Sequence, residues 1–183
     1  IKRYWGAYGN RPDDEFQYEG ERRGGTGWSA DDYMEQQFRT PVHCAEPSND
    51  GLVYVCDRPN NRVQVFQTDG TFVEEAYFAP ETLGDGAVWD IAFSPDAEQS
   101  YIYIADGKNA RIRIVNRETL EEVSTIGTGG RYAGMFQAAH SIDTDSQGNI
   151  YVTETYEGRR LHKFVYKGVG SVARHQGATW PTQ

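Results

Sequence analysis

The chain is short of sulfur and of positive charge, and both shortages narrow what it can do. Its 183 residues hold two cysteines and two methionines, and 18 Lys and Arg face 27 Asp and Glu, a net charge of −9. A surface that binds a phosphate backbone has to be basic, so the balance argues against a nucleic-acid partner. No apolar run approaches the roughly 20 residues that a membrane-spanning helix needs, and no membrane partner is expected. There is no Gly-x-Ser-x-Gly, no phosphate-cradling glycine loop and no Cys/His pair at zinc-finger spacing, so a serine or cysteine hydrolase has no support. The chain begins with Ile and shows no signal peptide, which leaves room for an N-terminus upstream; the compartment stays open, secreted and periplasmic included. Cys44 and Cys56 flank the turn Ser48-Asn49-Asp50-Gly51, on what read as adjacent strands. A disulfide between neighbouring strands is usually strained, so two buried free thiols are expected, with the disulfide as the alternative.

What the chain does have is repetition. LVYVCDRPNNRVQVF (52–66), YIYIADGKNARIRIV (101–115) and IYVTETYEGRRLHKF (150–164) share one plan. Each has a β-branched and aromatic run, then an acidic residue (Asp57, Asp106, Glu154), a polar turn, an arginine five positions on (Arg62, Arg111, Arg159) and a second alternating run. That is a β-hairpin written three times. A first strand precedes each copy, at 41–47, 88–95 and 138–145, and a fourth follows two of them, at 71–78 and 120–127. Four-stranded antiparallel units recurring every 40–50 residues or so are the mark of a β-propeller. The expected class is therefore all-β, a propeller with three blades per chain, at 41–80, 86–128 and 136–168.

Three blades make half of a six-bladed ring. The third blade lacks its outer strand, while IKRYWGAYG (1–9) reads as an outer strand without a blade. Two assemblies suit this. Two copies can form a homodimer by exchanging the N-terminal strand, a low-cost two-fold solution, or the chain is part of a longer six-bladed protein. Residues 10–40 read as a long polar excursion between blades, with Trp28, Tyr33 and Met34 packing over one end of the channel, and 169–183 read as a tail.

The run Asp57-Arg58-Pro59-Asn60-Asn61-Arg62-Val63-Gln64-Val65-Phe66 with Asp69-Gly70, and Asp106-Gly107-Lys108-Asn109-Ala110-Arg111-Ile112, resemble the NHL family of propellers, as do the lead-ins at 37–41 and 129–136. The resemblance spans about residues 36–167. A narrower similarity is to the lyase domain of peptidylglycine α-amidating enzymes, a six-bladed propeller that binds zinc through histidines beginning innermost strands. Phe38-Arg39-Thr40-Pro41-Val42-His43 and Met135-Phe136-Gln137-Ala138-Ala139-His140 are similar to two such positions, and Arg58 matches an active-site arginine of that family. Trp89 stands where a third histidine is expected, Ser141 where the family has an acidic calcium ligand, and Lys108 where it has tyrosine.

Equivalent repeat positions share one place around the ring, so His43 and His140 are expected to converge on the axis. Two imidazoles suit a divalent metal, zinc first, or alternatively hydrogen-bond neighbouring blades; two halves would offer four. Trp89 and Asp90 are expected to line the channel, with Asp90 as a further carboxylate there or a strand cap. Arg58 either clamps a substrate carboxylate at the channel mouth or pairs with an acidic residue of the long loop. Asp57/Arg62, Asp106/Arg111 and Glu154/Arg159 are read as structural turn pairs, and His162 and His175 as surface residues. The leading function is a scaffold that binds a small molecule, peptide or protein at its axis; the enzymatic alternative is a zinc-dependent lyase or hydrolase.

Overall fold

A computed structural model describes residues 3–17 and 35–170. Eleven strands form three antiparallel sheets of the described residues. Blade 1 comprises β1 (Val42–Pro47), β2 (Leu52–Asp57), β3 (Arg62–Gln67) and β4 (Phe72–Tyr77). Blade 2 comprises β5 (Asp90–Phe93), β6 (Tyr101–Asp106), β7 (Arg111–Asn116) and β8 (Glu122–Ile126). Blade 3 has three strands, β9 (Ala139–Thr144), β10 (Ile150–Glu154) and β11 (Leu161–Phe164), in the order β11-β10-β9. The chain is thus the all-β, three-bladed partial propeller that its repeats imply.

Side chains alternate between the faces of a strand, so each blade has two chemically distinct faces. One face of blade 1 (Tyr54, Cys56, Val63, Val65) packs on the opposite face of blade 2 (Ile102, Ile104, Val115). Blade 2 turns Tyr103, Ala105 and Ile112 to Ile150 and Val152 of blade 3. Arg117 clips the first interface from outside, reaching Asp50 at 2.9 Å, the Tyr54 hydroxyl at 3.2 Å and the Glu98 carbonyl at 2.9 Å.

Two expectations are corrected. Cys44 and Cys56 form a disulfide rather than two thiols. They lie directly opposite across β1 and β2, with Cα atoms 4.8 Å apart, which is within the range a disulfide spans. Residues 3–9, within the expected orphan strand 1–9, form no strand: Ala7–Gly9 is a 3-10 turn. The segment lies on the free face of blade 1, with the Trp5 ring 5.9 Å from Phe66 and Tyr8 5.0 Å from Phe72. The Tyr8 hydroxyl donates to Glu75 at 2.9 Å and its amide to Gln64 at 3.1 Å. A Cβ on Gly9 would stand 2.5 Å from the Gly70 carbonyl oxygen, and one on Gly70 would stand 3.0 Å from the Trp5 ring, so glycine at both sites permits this approach. Exchange of this segment between two copies would have to strip these contacts. Trp28, Tyr33, Met34 and His175 lie outside the described residues.

Candidate functional site at the axial mouth

The first strands run along the axis, and two β-bulges decide where their histidines point. Pairing runs Val42 with Asp57 and then Cys44 with Cys56, which leaves His43 as the extra residue. In blade 3 it runs Thr153 with Ser141 and then Glu154 with Ala139, which leaves His140 as the extra residue. A bulge re-aims the side chain it carries, and here both imidazoles turn to one place. Their ring centroids are 5.1 Å apart, and Trp89, just before β5, stands 6.1 Å from His43 and 5.5 Å from His140. Three equivalent repeat positions therefore meet in one aromatic cluster.

The Trp89 carbonyl faces His43 Nδ1. Burial lowers the His43 pKa, and the nearby Arg58 guanidinium and His140 add to that against the pull of the carbonyl. A neutral ring that donates from Nδ1 presents its Nε2 lone pair outward, as a metal-ligating histidine does. His43 and His140 are only two donors, however, whereas a catalytic zinc takes three from the protein. Among the described residues, no group of three or more His, Cys, Asp or Glu side chains is placed to hold a metal ion. Asp90 does not supply the third: its carboxylate accepts from Ser141 Oγ at 2.7 Å and from the Ile142 amide at 3.0 Å, stapling β5 to β9. A resident metal fits this donor set incompletely.

Arg58 lies against the same cluster. Its guanidinium carbon stands 4.6 Å over the Trp89 ring, a cation–π contact between blades 1 and 2. Nη2 is 3.6 Å from Asp85, the side chain is 13% exposed, and Nε is buried with no hydrogen-bond acceptor among the described residues. The sequence reading missed Tyr156, whose exposed ring lies 6.3 Å from Trp89 across the mouth. Its place in the third copy's longer turn hid its equivalence to residues after Asp57 and Asp106.

The repeat acids are structural anchors, but their partners differ from copy to copy. Asp57 takes Arg62 Nε at 2.7 Å, Asn60 at 2.9 Å and the Arg39 amide at 3.0 Å. Burial works against the charge on Arg62, but the Asp57 carboxylate together with the Tyr8 and Tyr77 hydroxyls outweighs it, and the guanidinium titrates above its usual range. In blade 2 the partner of Asp106 is Arg113 at 2.6 Å, and Arg111 instead donates to the Asn109 carbonyl at 3.3 Å. In blade 3 Glu154 pairs with His162 at 2.8 Å and with Arg160 at 3.4 Å, while Arg159 is an exposed turn residue. Burial opposes the Glu154 charge, but His162 and the Gln137 and Ala138 amides hold its carboxyl below the usual range. His162 is buried, not on the surface, with its ring 4.8 Å from Phe136. Gln64, Arg113 and His162 share one register position, opposite Val55, Ile104 and Val152. That shared register was the available signal, and unequal turn lengths concealed it.

Residues 48–66, from the β1–β2 turn to Phe66, match the sequence model of the NHL repeat. That stretch alone is similar to an NHL repeat. Two solved structures agree with the fold of this chain. The Myceliophteria thermophila Cps50 (Swd1) β-propeller domain is 12% identical over 73% of this chain and 42% of that one, with a TM-score of 0.53. Kuenenia stuttgartiensis hydrazine synthase is 14% identical over 70% of this chain and 33% of that one, with a TM-score of 0.50. At these identities the likeness is one of fold alone. The chain spans about a third to two fifths of the solved chains it matches.

Proposed function

We propose that the chain is an NHL-type binding scaffold whose axial mouth takes a carboxylate of a small molecule or peptide, with Arg58 as the clamp and Trp89, His43, His140 and Tyr156 as its walls. The observation that carries this is the Arg58 guanidinium: nearly buried, held over the Trp89 ring, and left with an unfilled Nε donor among the described residues. A buried donor without an acceptor is costly, and an arginine fork meets a carboxylate bidentately. The test is calorimetric titration with N-acetylglycine as probe. Binding that Arg58→Gln abolishes, and that Arg58→Lys weakens although the charge is kept, supports the clamp. No binding, or binding indifferent to Arg58, sinks it.

The second reading is a zinc-dependent lyase or hydrolase, favoured by the convergence of His43 and His140. His43 and His140 would hold the ion, which as a Lewis acid would polarise a bound oxygen, while Arg58 orients the substrate carboxylate. The donor count requires further ligands from beyond these two, which a completed six-bladed ring would bring. Stoichiometric zinc that survives dialysis and disappears in His43→Ala would favour this reading over the scaffold; a chain that takes up no zinc would remove it.

A further inference from the structure

Asp85, the ion-pair partner of Arg58, lies in the connection from β4 to β5, and the fold pins that connection against the clamp. The Asn61 side-chain amide donates to the Pro80 carbonyl at 3.1 Å and to the Thr82 carbonyl at 2.9 Å, and its oxygen accepts from the Ala87 amide at 2.7 Å. The Trp89 indole N–H donates to the Gly86 carbonyl at 2.7 Å. Gly86 has a φ of 74°, and a Cβ there would stand 1.9 Å from the Arg58 carbonyl oxygen, so only glycine permits the approach. Backbone contacts on its own connection, rather than its carboxylate, therefore hold Asp85 beside the guanidinium.

The carboxylate itself is loosely engaged. Its Oδ1 is 3.6 Å from Arg58 Nη2, beyond hydrogen-bond length, and the Asp85 side chain is 42% exposed. An exposed pair at that distance adds little to stability, so stability does not account for an acid at this spot. Nη2 and the unfilled Nε form one edge of the guanidinium, the edge that meets a carboxylate bidentately. A ligand carboxylate received on that edge comes to rest close to Asp85, and two carboxylates in one place repel unless a cation lies between them. An N-acylated carboxylate brings no cation. A free α-amino acid does, because its ammonium sits one carbon away from its carboxylate.

Resting on the clamp reading above, we propose that the Arg58–Asp85 pair selects free α-amino acids, with Arg58 receiving the carboxylate and Asp85 the ammonium. Asp85 is then the specificity-determining residue of the mouth. It attracts a zwitterion through a charge-assisted hydrogen bond and works against an acylated ligand by setting a second negative charge beside the first.

The test is calorimetric titration of glycine and of N-acetylglycine, near neutral pH, into the full chain and into Asp85→Ser. Circular dichroism checks folding, and Asp85→Asn serves if the serine variant does not fold. The native chain is expected to bind glycine about tenfold more tightly than N-acetylglycine. Asp85→Ser should bring the two within about twofold, by weakening glycine and tightening N-acetylglycine. Arg58→Gln should abolish both. An equal or opposite preference in the native chain, or a preference for glycine that survives Asp85→Ser, overturns the proposal, while binding that still depends on Arg58 leaves the clamp standing. Binding of neither probe sinks the clamp itself and the proposal with it.

Discussion

Blade 1 and blade 3 each turn one face away from the stack, and the two faces have opposite chemistry. The free face of blade 1 carries Val55, Asp57, Arg62, Gln64 and Phe66, all buried. The free face of blade 3 carries Thr153, Leu161 and Lys163, all exposed. The first face is the one that, in blades 2 and 3, packs on the preceding blade, and it keeps the ion pair at the centre of the repeat. Here the chain itself provides the cover: Trp5 and Phe38 on Phe66, Tyr8 on Arg62 and Gln64, and the Glu35 and Gln37 carbonyls on the Arg62 fork. A buried charge pair tolerates desolvation only when its remaining hydrogen-bonding groups are filled, and here Tyr8, Glu35 and Gln37 fill those of Arg62. The blade 3 face has no such pair and needs no cover.

The comparison breaks most sharply at Arg62. Arg62→Ala leaves Asp57 buried without its cation, and denaturant unfolding should show a loss of about 3–5 kcal/mol. Reducing the Cys44–Cys56 disulfide releases a short loop between residues 12 apart and should lower stability by roughly 2–4 kcal/mol, read as a shift in the urea midpoint with and without a thiol reductant. Trp5→Ala uncovers Phe66 and the turn at Gly70 and should cost about 2 kcal/mol, with faster amide exchange in β3 and β4 and no change in blade 3. Acid gives a smaller, directional effect. The folded His43 pKa lies below its ordinary 6.5, so between the two values the unfolded chain binds more protons. That share of stability is complete above about pH 6.5 and is lost as the pH falls below it, a slope that His43→Gln should remove from a melting-temperature profile. At the far end, Leu161→Thr on the open face of blade 3 should change stability by no more than about 0.5 kcal/mol. A large loss there would show that the face is covered in solution, and the contrast between the two blades would fail.

The blades were legible in the sequence because strand pattern, turn residues and repetition all act locally. The convergence of His43, Trp89 and His140 was legible for the same reason: equal positions in equal units occupy equal places about an axis. What misled were quantities that pair across units. Asp106 and Arg111 face each other in register, yet the carboxylate takes Arg113, whose longer reach along β7 follows the buried face. Glu154 takes His162, which holds the register position of Arg113, and the longer third turn sets Arg160 rather than Arg159 opposite Glu154. The bulges at His43 and His140 leave no mark in the sequence, since a bulge is a mismatch between two strands and neither strand shows it alone.

The sequence by itself determined the all-β class and the hairpin repeat, because each follows from alternation and turn chemistry within short stretches. The tertiary structure alone decided that residues 5–8 cover blade 1, that Cys44 and Cys56 bond, and that Arg58 lies over Trp89. Those outcomes depend on which surfaces lose water together, and that is fixed only when the blades stack.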